Sequence, residues 1–205
     1  MKWETFARTF TGTQILSKAM IDTGLAGVEP GKSMAVQISR WVRAGRLVKL
    51  ARGRYMLPPP WSTAPPPAFV ANQIVYPSYV SLAYSLQFYD LIPEGVPVVT
   101  SVTTKRPGLW VTPVGRFRYR HVKRKLFFGS AGVTIEGQTV LMATPEKAIL
   151  DFFYFESGPM TDERFEEYRF QNLDRLDLRK LKTFAAKMAN PKLTGIVKRI
   201  QRAAR

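Results

Sequence analysis

The residues of this chain whose type and spacing could do chemistry are almost all cationic. Arg116-Phe117-Arg118-Tyr119-Arg120-His121 alternates with period two, which on a strand puts three arginines on one face and Phe117, Tyr119 and His121 on the other. Successive arginines would stand about 6.6 to 7 Å apart. Such a stripe could follow a nucleic-acid backbone, hold a phosphate-bearing ligand or dock an acidic protein, or it could simply be an exposed strand face whose cations discourage edge pairing. Lys123, Arg124 and Lys125 extend it into the next turn. Upstream, Thr100 to Arg106 feeds hydroxyls into a basic turn in which Thr103, Lys105 and Arg106 could grip phosphate. That turn lacks the glycines of a phosphate loop, and threonine is equally a good strand former. A second cluster lies nearer the start: Lys32, Ser33, Gln37, Arg40, Arg43 and Arg46, then Lys49, Arg52 and Arg54. Small or polar residues at a helix start followed by Gln and Arg are the side chains that read base edges, and the later cations suit phosphate.

Other chemistries lack their residues. His121 is the only histidine and there is no cysteine, which removes disulfides, thiolate metal sites and a cysteine nucleophile. There is no GxSxG, HExxH, Walker loop or GxGxxG. Glu146 and Asp151 are five apart and Lys147 lies four before Asp151, so Thr144 to Asp151 reads as a capped, packed helix in preference to an acid/base pair. We therefore expect a non-enzyme without metal or cofactor.

The 205 residues carry 31 Lys plus Arg against 15 Asp plus Glu, a net charge of +16. A hydrophobic share of 45% is too apolar for a disordered basic tail and sufficient for a core. The excess charge favours a polyanionic partner, nucleic acid first. No run of 18 apolar residues and no apolar leader are present, so the expectation is a soluble, cytoplasmic chain with no membrane partner.

The elements that must position these residues divide at Pro58 to Pro67, six of whose ten residues are proline, read as a semi-stiff linker. Residues 1–57 hold ten Lys/Arg against three acidic residues. Helices are expected at Trp3 to Phe10, Thr13 to Thr23 and Ser33 to Ala44. The last has Ala35, Ile38 and Val42 inward and Gln37, Arg40 and Arg43 outward, with Ser33 as N-cap. Two short strands around Ala51-Arg52-Gly53 complete the order of a winged helix-turn-helix. Residues 68–205 are expected to form a mixed α/β domain. It would have helices at 68–75 and 78–89, a small antiparallel sheet from runs at 96–103, 116–122, 133–136 and 139–143 with a Glu136-Gly137 turn, and four closing helices. The fold class is thus α+β in two domains.

Several strings, in order, resemble AbiEi-type antitoxins of bacterial type IV toxin-antitoxin systems: Ser39 to Pro58, Pro77 to Glu94, Thr100 to Pro107, Phe117 to Gly129 and Ala143 to Asp151. The resemblance implies an N-terminal winged helix that represses its own operon at inverted-repeat operator DNA, and a C-terminal domain sufficient for antitoxicity in phage defence. It further implies a cognate toxin with a nucleotidyltransferase fold, opposed without a stable complex, and it supplies no active-site residues. The alternative is a winged-helix transcriptional regulator whose second domain senses a ligand or oligomerises, with no toxin. A third reading, an enzyme acting on nucleic acid, lacks paired carboxylates or metal ligands.

Overall fold

Apolar residues brought together by short elements define the first unit. The computed structural model describes residues 1–26 and 33–204; Lys32 lies outside them. Helix α1 (Trp3–Thr9) buries Phe6 and Ala7. The expected helix over Thr13 to Thr23 is instead a short strand, β1 (Leu16–Ser17), followed by α2 (Lys18–Gly24), because Leu16 pairs across to Tyr55. The Ser17 hydroxyl accepts the Met20 N–H at 3.1 Å and so starts α2 where the strand ends. Helix α3 (Met34–Arg43) follows, then β2 (Val48–Ala51) and β3 (Arg54–Met56). The strands form an antiparallel sheet in the order β1-β3-β2. Gly53, at φ +70°, supplies the positive φ of the tight β2-β3 turn. Phe6 and Trp41 meet at 4.6 Å between ring centroids, with Leu16, Ile21, Ile38, Leu47 and Leu57 closing the core around them.

The second unit is built on a six-stranded sheet in the order β6-β7-β5-β4-β9-β8. Its strands are β4 (Ser78–Val80), β5 (Val98–Thr103), β6 (Gly108–Thr112), β7 (Gly115–His121), β8 (Ser130–Ile135) and β9 (Gln138–Ala143). This sheet is mixed, which corrects the antiparallel expectation: β5 with β7 and β4 with β9 run parallel. For β5 with β7 the reason is β6, a strand that the alternation in the sequence did not reveal. It makes the hairpin with β7, so β7 arrives beside β5 in the same direction. The expected helix over Ser78 to Tyr89 is likewise two elements. Tyr79 and Val80 pair with β5 and stay extended, and helix α5 (Leu82–Phe88) starts only after Ser81. The Glu136-Gly137 turn is as expected, both residues at positive φ.

Helices cover both faces. On one, α4 (Pro67–Ile74) packs Ala68, Val70 and Ala71 on Val80, Phe117, Tyr119 and Met142, and Ile15, Leu50 and Met56 of the first unit join the same apolar cluster. On the other lie α5 and α6 (Pro145–Phe155), backed by α7 (Asp162–Glu167), α8 (Leu178–Met188) and α9 (Pro191–Ala203). The proline run is not a free spacer. Ser62, Pro65 and Pro66 are buried, the Trp61 carbonyl accepts the Gly12 N–H at 2.9 Å, and Pro67 opens α4. Among the described residues no helix is long and apolar enough to cross a membrane.

Candidate nucleic-acid interface

Burial of Ile38 and Trp41 sets the rotation of α3. Residues on the opposite side at helical spacing are Ala35, Val36, Ser39, Arg40 and Arg43, all exposed. Ala35 was expected inside and faces out. Gln37 was expected outside and is buried; its side-chain amide lies against Met1, with the oxygen toward the α-amino group at 3.0 Å and the nitrogen toward the carbonyl at 2.7 Å. The error has one cause: taking Ala35, Ile38 and Val42 as the core stripe ignored Trp41, the largest apolar residue of the helix. A wheel centred on Ile38 and Trp41 would have found Val36 and Ser39 and excluded Gln37. Ser33 precedes the helix at the cap position and is exposed, but its side chain makes no capping bond.

A hollow of about 380 Å³ runs between α2, α3 and the β2-β3 hairpin, lined by Ser33, Ser39, Arg43, Lys49 and Tyr55, and by Lys18 of α2. Ser33, Arg43 and Lys49, expected in one DNA-binding cluster, line this groove together. Lys18 was missed; it pairs with Asp22 at 2.6 Å, one turn on. Arg43 donates to Ser39 Oγ at 3.3 Å, which holds the guanidinium along the outward row. Arg40, Arg46 and Arg52 are exposed. Arg54 departs from expectation, since its Nε donates to the Gln73 carbonyl at 3.2 Å and ties the hairpin to α4 instead of facing outward. Cations, hydroxyls and an apolar methyl pair on Val36 make a surface whose chemistry fits a phosphate backbone and base edges.

The second basic cluster is placed on the sheet face that carries α5 and α6. Arg116, Arg118 and Arg120 pair in register with Val98, Thr100 and Val102 of β5, while Phe117 and Tyr119 turn to the face that α4 and the first unit cover. Arg116 and Arg118 are exposed; Arg120 is half-buried, its guanidinium 4.6 Å from the centre of the Phe155 ring. Lys105, Arg106, Lys123, Arg124 and Lys125 are exposed where β5 and β7 end together, the His121 Nδ1 and the Lys105 carbonyl being 3.0 Å apart. Thr103 does not belong to this surface. It is buried, its hydroxyl donating to the Pro77 carbonyl at 2.6 Å and accepting the Lys105 N–H at 3.0 Å, so it shapes the turn without facing solvent.

A polar group that sequence reasoning treated as helix packing lies at the centre of the second unit. Lys147 and Asp151 form an ion pair with both side chains fully buried. Tyr79 and Ser81 hydroxyls each donate to Asp151 Oδ2 at 2.9 Å, and Lys147 Nζ donates to the Tyr79 oxygen at 2.9 Å. Burial pulls the Lys147 ammonium below its usual range, opposed by the attraction of Asp151, and pushes the Asp151 carboxyl up against the pull of Lys147. Tyr79 is raised by burial and by the neighbouring carboxylate. Gly129, at φ +77°, leaves room for Lys147; a Cβ there would meet its Cγ at 3.0 Å. With every member enclosed, no reactant reaches the group, and its work is to fasten β4 to α6. Among the described residues no group of three or more His, Cys, Asp or Glu could hold a metal.

Compared with known proteins, the chain matches no protein-family model, and a search of curated proteins likewise finds no match.

Proposed function

We propose that this chain is a sequence-specific DNA-binding regulator that grips duplex DNA with α3 and the β2-β3 hairpin. The observation that carries the reading is the groove in which Ser39 and Arg43 of α3 meet Lys18 and Lys49, with Val36 and Arg40 exposed on the same helix. The order α1-β1-α2-α3-β2-β3, with its three-stranded antiparallel sheet, is the order of a winged helix-turn-helix and supports the same reading. In that geometry α3 enters the major groove, where Arg40 meets base edges and Val36 can meet a thymine methyl. Arg43, Lys49 and Arg52 meet phosphate.

The strings resembling AbiEi-type antitoxins support a more specific role, an autorepressor and antitoxin that binds inverted repeats before its own operon and counteracts a nucleotidyltransferase-like toxin through residues 68–205. The test is binding of the full chain to duplex from upstream of its own gene and to a scrambled duplex, alongside growth rescue on co-expression with the neighbouring gene. Arg40→Ala is expected to lose about 1 to 3 kcal/mol on the upstream duplex and to relax preference. Arg52→Ala weakens both duplexes alike and lowers the salt slope by about one. Gln37→Ala leaves preference unchanged. Equal binding of both duplexes by the unaltered chain rejects sequence-specific regulation, and a harmless neighbouring gene rejects the antitoxin role.

A further inference from the structure

We propose that the Arg116, Arg118 and Arg120 face is a second binding surface, for single-stranded nucleic acid, separate from the groove along α3. The two surfaces stand apart because β7 alternates. Phe117 and Tyr119 point into the cluster that includes Ile15, Leu50 and Met56 of the first unit, and the arginines point the other way. A duplex lying along α3 therefore meets the opposite side of the sheet from the arginines.

Three observations fit an unpaired strand. First, the arginines sit beside apolar surface and not alone: on the neighbouring edge strand Leu109 is in register with Arg118 and Val111 with Arg116, and Val111 is 71% exposed. Second, the stripe runs between two aromatic hollows. Beside Arg116, at the end of the sheet where it meets the start of α4, a hollow of about 380 Å³ is lined by Tyr84 and Phe88 together with Pro67 and Val99. Beside Arg118 and Arg120 a hollow of about 170 Å³ is lined by Phe152, Phe155 and Leu82, with Glu156 at its wall engaged by Arg164 at 3.0 Å. Third, the Arg120 guanidinium lies over Phe155, which holds its plane in place as a stacking platform. Cations tracking a backbone next to aromatic or guanidinium faces are the recurring means of holding single strands. Bases stacked within a duplex cannot enter such hollows, whereas unpaired ones can. Lys105, Arg106, Lys123 and Arg124 continue the track past the end of β7. An acidic protein would use the same charges but has no need of the aromatic hollows, which is why the strand is favoured.

The experiment is fluorescence anisotropy of the full chain with labelled single-stranded 12-mers of uridine and of thymidine, a scrambled duplex of equal length, and polyglutamate. The single strands are expected to bind more tightly than the scrambled duplex and polyglutamate. The Arg116→Ala/Arg118→Ala double variant should weaken single-strand binding about tenfold or more without changing upstream-duplex binding. Phe88→Ala should weaken the single strands and leave polyglutamate unaffected. Tighter uridine binding identifies RNA, tighter thymidine binding identifies DNA, and both uphold the surface. Single strands binding no better than the scrambled duplex overturn the proposal, as does an Arg40→Ala/Arg43→Ala variant losing single-strand binding as fully as the stripe variant. Preference for polyglutamate overturns it in favour of an acidic protein partner. Because upstream-duplex binding is read separately, failure here leaves the α3 reading standing, and the reverse.

Discussion

Asp151 occupies a position where a carboxylate without Lys147 would be a buried, uncompensated charge. Desolvation of both ions is expensive, and the pair is held by the Tyr79 and Ser81 hydroxyls that satisfy the remaining lone pairs. Removing one partner should therefore cost far more than removing both. Asp151→Leu and Lys147→Met are each expected to lose about 3 to 5 kcal/mol of unfolding free energy, while the two together lose much less than their sum. Urea titration of the four proteins checks this; additive losses would mean the two residues act independently. The i,i+4 spacing of Lys147 and Asp151 was legible in the sequence, but their burial was not. Nothing local marks Tyr79, 72 residues before Asp151, as its hydrogen-bond donor. Gln37 differs: its residue type argued for base reading, but the helical spacing of Ile38 and Trp41, which is in the sequence, already turns it inward.

Elements whose apolar period is long enough were legible. Helices α3, α6, α8 and α9 and strands β5, β7, β8 and β9 lie near where their patterns put them. Short elements bounded by proline were not. Gly108–Thr112 sits between Pro107 and Pro113, and Ser78–Val80 directly follows Pro77, so neither shows more than five residues of alternation. Both decide topology, because β6 sets the direction of β7 and β4 joins the two halves of the sheet. Junctions between helices carry a testable pH dependence. Burial alone would raise Glu146, but Lys180 at 2.9 Å and the Asp177 N–H at 3.2 Å outweigh it and hold the carboxyl below the usual range. Asp177 is lowered by the Lys180 and Arg179 N–H groups that it caps at the start of α8. A carboxyl whose folded pKa is depressed stabilises above its unfolded value, and loses that contribution as pH falls through the folded one. Melting temperature should accordingly fall between about pH 5 and pH 3. Glu146→Gln should flatten part of that fall while lowering the plateau near neutrality; an unchanged slope would show that the α6-α8 junction does not titrate.

At the scale of the whole molecule, the proline run suggested two bodies on a spacer, whereas the apolar cluster on the α4 face draws on both units. Composition supports the spacer reading because six prolines exclude helix and central strand. It says nothing about Ile15, Leu50 and Met56, which share an apolar cluster with residues from Ala68 to Met142 on the far side of the proline run. Leu50 is 3% exposed at the end of the β2 strand, and the nearby Arg54 is bonded to the last turn of α4, so the hairpin is fixed to the sheet that carries the arginine stripe. This coupling predicts cooperative unfolding. Leu50→Ala should cost about 2 to 5 kcal/mol and lower the midpoint of the full chain in one transition, seen alike by Trp41 in the first unit and Trp110 in the second. An isolated 1–57 fragment, with Ile15, Leu50 and Met56 uncovered, should unfold at lower denaturant than the same residues do within the full chain. Two separated transitions in the full chain, with Leu50→Ala moving only the first, would return the molecule to two bodies on a semi-stiff linker. A single shared transition would mean that the α3 groove and the arginine face belong to one cooperative body, so that a ligand on either raises the unfolding midpoint of both units.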